Sequence, residues 1–197
     1  MKIFRFKINA GLAVLISIFS YYFNGQSLNQ QQVGGVSEEN QSAAGQLKLD
    51  FFDVGQGDSA LIITPAGQDF LIDGGPNNKV LEKLGQGLPL YDKTIELMIL
   101  SHPHADHLVG LVEVLKRYQV DKVIISGILS DSDGYREFLR LIKEKNIPVE
   151  IIHQPQELMV EPGVELSFLT PPTDLDGQRL ANLNNSSLVF KLIYASS

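Results

Sequence analysis

The sequence predicts an α/β fold, one layered domain in which helices cover a mixed β-sheet. Three observations carry that expectation. Short apolar runs separated by turn residues open the body of the chain, and apolar runs alternating with amphipathic runs follow. A composition of 44% hydrophobic and 20% charged residues over 197 positions supports one sizeable core.

Residues 1–23 stand apart from that body. Lys2, Arg5 and Lys7 make a basic start, and Ile8 to Phe23 is uncharged and largely apolar. This pattern predicts a signal peptide or membrane anchor. The bulky Tyr21, Tyr22 and Phe23 leave no small-residue cleavage site, which favours an uncleaved anchor over a removed signal. A buried amphipathic first helix is the competing reading. Either targeting reading places the remainder outside the cytoplasm, membrane-anchored or secreted. Residues 24–46, dominated by Gln, Asn, Gly and Ser, read as a flexible linker. The leader holds three positive and no negative residues, so the remainder carries −10 against −7 for the whole chain. An acidic body argues against non-specific grip on phosphate backbones through Lys and Arg, so an anionic substrate has to be met by bound cations. With no cysteine, disulfides and thiolate metal sites are excluded.

The folded body spans residues 47–197. Leu47 to Phe52 predicts a strand running into the loop Asp53-Val54-Gly55-Gln56-Gly57-Asp58, and Ala60 to Thr64 the next strand. Phe70 to Ile72 follows after the turn Pro65-Ala66-Gly67-Gln68, giving an antiparallel meander. Asn77 to Leu84 predicts a short helix with Asn78 as cap and Gly85 as stop. Ile95 to Leu100 reads as a buried strand. Leu108 to Tyr118 reads as a helix packed back on the sheet, because Leu108, Leu111, Val112 and Leu115 recur at helical spacing. Strands are then expected at Val120–Ser126, Pro148–Ile152, Val164–Leu169 and Leu188–Tyr194, a helix at Tyr135–Lys145, and loops at Gly127–Gly134 and Gln154–Gly163.

Between the strand ending at Leu100 and the helix after it stands Ser101-His102-Pro103-His104-Ala105-Asp106-His107, with three of the four histidines of the protein. Imidazole and carboxylate are the donors preferred by zinc and neighbouring divalent metals when no thiolate is present. The segment sits where open α/β sheets place ligands, beyond the carboxyl end of a strand. Side chains that splay from one loop suit a two-metal site, with His102 and His104 on one ion and Asp106 and His107 on a second. A histidine-rich surface loop is the bland alternative. Asp58 and Ser59, on a glycine-shaped loop, and Asp73, at the end of an apolar strand, are candidates for orienting a ligand histidine without touching the ion. His153 reads as a solvated loop residue.

The pattern His102-x-His104-x-Asp106-His107, followed by Leu108-Val109-Gly110-Leu111, resembles the metal motif of the metallo-β-lactamase superfamily. Phe52 through Ser59, Leu71-Ile72-Asp73-Gly74-Gly75, the wording of Ser101 to His107, and Asn184-x-x-Ser187-Leu188-Val189 resemble the extracytoplasmic hydrolase domain of ComEC-type competence (DNA-uptake) proteins. That resemblance implies a layered αββα sandwich and a two-ion site for Zn2+, with Mn2+ as the other candidate. It implies His102, His104, Asp106 and His107 as ligands, with Asp106 also the candidate catalytic residue. Asp58, Asp73 and Ser59 would support the ligands, and Asn184 would serve beside them or on the substrate side. The implied reaction is hydrolysis of a phosphodiester such as DNA outside the membrane by metal-activated water. A small ester, lactone or β-lactam is the alternative substrate, and a catalytically inactive metal-binding module the alternative class. In the family a second half adds an aspartate in a Gly-Asp pair and later histidines. The sequence stops at Ser197 before either appears, so the resemblance predicts a truncated domain with two protein ligands per ion, against the three of a usual catalytic zinc.

Overall fold

The computed structural model describes residues 4–8, 13–16 and 45–195. Among the described residues, thirteen strands, three α-helices and one 3-10 turn follow one another. Strands β1 (Phe4–Ile8), β2 (Ala13–Ile16), β3 (Leu47–Phe51), β4 (Ala60–Ile63) and β5 (Asp69–Ile72) lead to helix α1 (Lys79–Gly87). Strands β6 (Thr94–Ile95) and β7 (Leu97–Ile99) precede helix α2 (Ala105–Arg117), and β8 (Gln119–Val120) and β9 (Val123–Ile125) precede α3 (Asp133–Glu144). Strands β10 (Val149–Ile151), β11 (Gln156–Glu161), β12 (Val164–Phe168) and β13 (Phe190–Tyr194) complete the order, with the 3-10 turn Leu183–Ser186 before the last.

The strands form a seven-stranded sheet in the order β1-β3-β4-β5-β7-β9-β10, a four-stranded sheet β11-β12-β13-β2 and the small pair β6-β8. The expected meander is present, since β3, β4 and β5 pair antiparallel. From β5 onward the large sheet is parallel through β7, β9 and β10, each pair bridged by helical crossovers.

Alternation along the strands builds two cores. Leu61, Leu71, Met98 and Val123 face the buried sides of the three α-helices. Leu49, Ile62, Phe70, Ile72 and Ile99 face the other way and meet Val164, Leu166, Phe168 and Phe190 of the small sheet. The layers are therefore helix, sheet, sheet, and all three α-helices contribute their buried residues to the first core. Each fully buried Phe or Leu side chain in these layers contributes about 1.5–3 kcal/mol of apolar transfer free energy.

Several sequence expectations need correction. Helix α1 runs through Gly85 to Gly87, and Asn78 precedes it without a capping hydrogen bond from its side chain. Helix α2 starts at Ala105, so Asp106 and His107 stand in its first turn rather than in the preceding loop. The apolar run 95–100 is split at Glu96 into β6 and β7, and the stretch read as a loop at 154–163 contains β11. Of the leader, β1 pairs antiparallel with β3, and β2 with β13. Its other residues, and the linker up to residue 44, lie outside the described residues. Among the described residues no helix is long and apolar enough to cross a membrane.

Candidate metal centre

Three chain segments meet at the carboxyl ends of β5 and β7. The loop after β5 brings Asp73, the loop after β7 brings Ser101, His102 and His104, and the first turn of α2 brings Asp106 and His107. The Asp53–Asp58 loop closes the group from the side.

Asp73 is the buried organiser. It is fully inaccessible and adopts a left-handed backbone conformation at φ 54°, which aspartate tolerates better than most residues. Its Oδ1 accepts the Ser101 amide hydrogen at 2.8 Å, and its Oδ2 accepts the Ser101 hydroxyl at 2.6 Å. The same Oδ2 stands 2.7 Å from His107 Nδ1. An ionised carboxylate only accepts, so His107 Nδ1 carries a hydrogen, and in the neutral imidazole Nε2 keeps its lone pair. Ser101 Oγ, having given its hydrogen to Asp73, is an acceptor for His102 Nδ1 at 3.0 Å. His102 Nε2 is left as a donor atom in the same way. The Ser59 hydroxyl donates to the Asp73 carbonyl at 3.0 Å and ties the glycine loop to this frame.

The lone pairs so fixed point into one region. His102 Nε2 and His104 Nδ1 are 3.1 Å apart. His107 Nε2 lies 3.9 Å from Asp58 Oδ2 and 3.9 Å from Asp106 Oδ2. The His102 and His107 rings are adjacent, with centroids 4.1 Å apart. Asp58 Oδ2 is buried and accepts no hydrogen bond. A tetrahedral zinc with nitrogen ligands at about 2.0–2.1 Å holds its donor atoms about 3.3 Å apart, close to the His102–His104 spacing. Together with the orphaned Asp58 oxygen, this makes the residues present fit a divalent cation. Among the described residues no three of these side chains already converge on a single point. The donors stand instead as two neighbouring groups, His102 with His104 and His107 with Asp58 and Asp106.

Electrostatics follow from the same contacts. Burial, reinforced by the neighbouring His107 and His104, pushes the His102 imidazole down to about 3, so it is neutral at physiological pH. Burial alone would lower His107 too. The hydrogen bond and charge of Asp73, with Asp106 and Asp58, outweigh it and raise His107 above the usual imidazole range. Asp58 is raised by burial, partly offset by His107 and reinforced by Asp73 and Asp106. Three carboxylates around one imidazole leave excess negative charge for a cation to neutralise.

All eight residues singled out in the sequence lie at this locus. Asp58, read as a support, has Oδ2 on the Nε2 side of His107, at 3.9 Å. Asn184 is exposed on the 3-10 turn, beside His102. Ser101 was not singled out, yet it links Asp73 to His102, and its carbonyl accepts the Leu188 amide hydrogen at 2.9 Å, tying in the approach to β13. Its place directly before the motif was the available signal. His153 stands apart, exposed, with Nδ1 2.8 Å from Asp174 Oδ1.

The sequence profile of the metallo-beta-lactamase superfamily matches residues 52–178, more than half of the chain. The chain belongs to this superfamily. Its fold is the superfamily's mixed α/β fold. Among curated protein sequences none matches the chain. Solved structures similar to this superfamily member include the Rm3 metallo-beta-lactamase, 22% identical over 72% of this chain and 52% of that one at a TM-score of 0.45. Zn(2+)-bound PqqB from Methylobacterium extorquens is 16% identical over 71% and 50%, at 0.49. A diphosphatase from the PhnP family is 22% identical over 56% and 42%, at 0.36. The chain spans about half or less of each of these proteins.

Proposed function

We propose that the chain is a metal-dependent hydrolase of the ComEC type that cleaves phosphodiesters, DNA among them, outside the cell membrane. The observation that carries this reading is the anchored donor set: Asp73 and Ser101 hold the Nδ1 sides of His107 and His102, which leaves both Nε2 atoms facing the remaining donors. Zinc or manganese bound there would supply a Lewis acid that lowers the pKa of water and polarises the scissile bond. Asp73 fixes the imidazole tautomers, and Asp58 and Asp106 flank His107 Nε2. Of these, Asp106 is the residue we assign to accepting a proton from the attacking water. The phosphodiester class is supported by the wording of the 52–59, 71–75, 101–107 and 184–189 segments and by the acidic body, in which an anionic substrate needs cations. Export is supported by the basic and apolar leader and the polar linker that follows.

The test loads the full chain with zinc or manganese, measures bound metal, and assays single-stranded DNA, bis(p-nitrophenyl) phosphate, a lactone and a β-lactam in parallel. Stoichiometric metal that is lost in His102→Ala and His107→Ala, with turnover of the two phosphodiesters, is the expected result. Turnover of the lactone or β-lactam alone would move the substrate class. Bound metal without any turnover would leave a binding module, and no dependence of metal on the two histidines would remove the hydrolase reading.

A further inference from the structure

Asp73 follows the end of β5 and Asp69 begins it, so the two acids mark opposite ends of the sheet. At the Asp69 end a cavity of about 420 Å³ opens between β3, the β4–β5 turn and the loop after α1, lined among others by Lys48, Thr64, Asp69, Leu88 and Asp92. Strand alternation puts the Asp69 side chain on the same side as Leu71, facing the helices and therefore this cavity. Asp69 is only 2% exposed. Its amide donates to Glu96 Oε2 at 2.6 Å, but its carboxylate makes no hydrogen bond or ion pair among the described residues. Asp92 Oδ1 accepts a single weak bond, from the Thr94 amide at 3.2 Å. Among the described residues Lys48 is the one cationic residue on the cavity wall, and it pairs with neither acid. Burial, with Asp92 and Glu96 close by, pushes the Asp69 carboxyl up to about 7.

A buried carboxylate beside two others, with the lysine of the cavity wall paired to neither acid among the described residues, is a costly arrangement unless something supplies the missing charge and hydrogen-bond donors. Among the described residues no three carboxylates are placed to hold a metal ion. The volume lies within the range of about 300–1,000 Å³ typical of small-molecule sites. We propose that this cavity binds a small organic cation, a protonated primary amine, whose ammonium group lies between the carboxylates of Asp69 and Asp92. The site is remote from the histidine cluster and independent of the hydrolase reading.

The experiment titrates the full chain at pH 8 and 0.15 M NaCl with 1,4-diaminobutane, following the amide resonances of Gly67, Asp69 and Leu88. Tetramethylammonium, which has no N–H donor, and calcium chloride are run in parallel. Saturable shifts with the diamine, at least tenfold weaker with tetramethylammonium, at least tenfold weaker in Asp69→Asn and in Asp92→Asn, and unchanged in His102→Ala, are expected. Equal response to tetramethylammonium would reduce the effect to charge screening and overturn the proposal, as would saturation by calcium instead of the amine. Binding seen only in Lys48→Ala would assign the cavity to the Lys48 ammonium, and no saturable shift with any probe would also overturn the proposal.

Discussion

Asp73 carries more of the candidate metal centre than any of the candidate ligands, because two of its neighbours, Ser101 and His107, are oriented by one carboxylate. Replacing it by Asn keeps the volume but offers an N–H where an acceptor is required. Zinc affinity of Asp73→Asn, measured by competition with a chelator, is expected to fall about 10- to 100-fold while the far-ultraviolet circular dichroism stays unchanged. Acid should release metal by a related route. The raised His107 takes up a proton already as pH falls towards the usual imidazole range, so metal affinity should drop with decreasing pH, and chelator competition at pH 8 and pH 6 would show it. Asp69 gives the opposite sign for stability. Its carboxyl titrates near 7 in the folded chain and near 4 when unfolded, so folding takes up a proton between those values. That contribution is complete below about 4 and is lost as pH rises through about 7, a change of about 4 kcal/mol at most. In amine-free buffer, urea unfolding of Asp69→Asn should therefore lose less stability between pH 5 and pH 8 than the parent chain. The ligand-type residues were legible from their density in six positions. Ser101 was not, because a serine before a histidine has many uses until the partner of its hydroxyl is known.

Helix α2 can present Asp106 and His107 only because it approaches the loop after β5 closely. The Gly110 amide donates to the Gly75 carbonyl at 3.0 Å, the Gly74 amide donates to the His107 carbonyl at 2.7 Å, and a Cβ at Gly110 would overlap the Gly74 carbonyl. Gly110→Ala should push α2 off this loop, cost about 1–3 kcal/mol in urea unfolding and weaken zinc binding. Gly85 makes the contrast. It lies within α1, and a Cβ there meets nothing within 4 Å. Gly85→Ala is expected to stabilise by about 0.5–1 kcal/mol by removing freedom from the unfolded chain. The same residue explains a misread boundary: glycine usually ends a helix, but α1 continues two residues further. Strand β11 escaped notice for another reason. As an edge strand it alternates half-buried and exposed positions, as in Glu157-Leu158-Met159, so its apolar content is diluted, and only its ladder with β12 defines it.

The two sheets are held face to face by residues far apart in sequence. Phe168 is 1% exposed and packs on Phe190 with ring centroids 5.2 Å apart. Phe168→Ala should cost about 3–5 kcal/mol and bring the urea midpoint down sharply. The outer strands β3 and β13 are paired by β1 and β2 from the leader, so the same residues that read as a targeting segment also cover two sheet edges. Deleting residues 1–16 should open both edges and raise self-association in sedimentation, whereas a monomer would show that the edges are protected by other means. Local pattern alone was enough to set the α/β class, the meander, the helical crossovers and the placement of histidines at a strand-to-helix junction, because hydrophobic period and a dense cluster of donors are properties of neighbouring residues. Only the tertiary structure decided that Asp58 faces His107, that Asp73 and Ser101 orient the imidazoles, and that the Asp69 carboxylate lies buried with no hydrogen bond among the described residues. Those facts depend on side-chain direction and on pairings between distant segments, which no local spacing encodes.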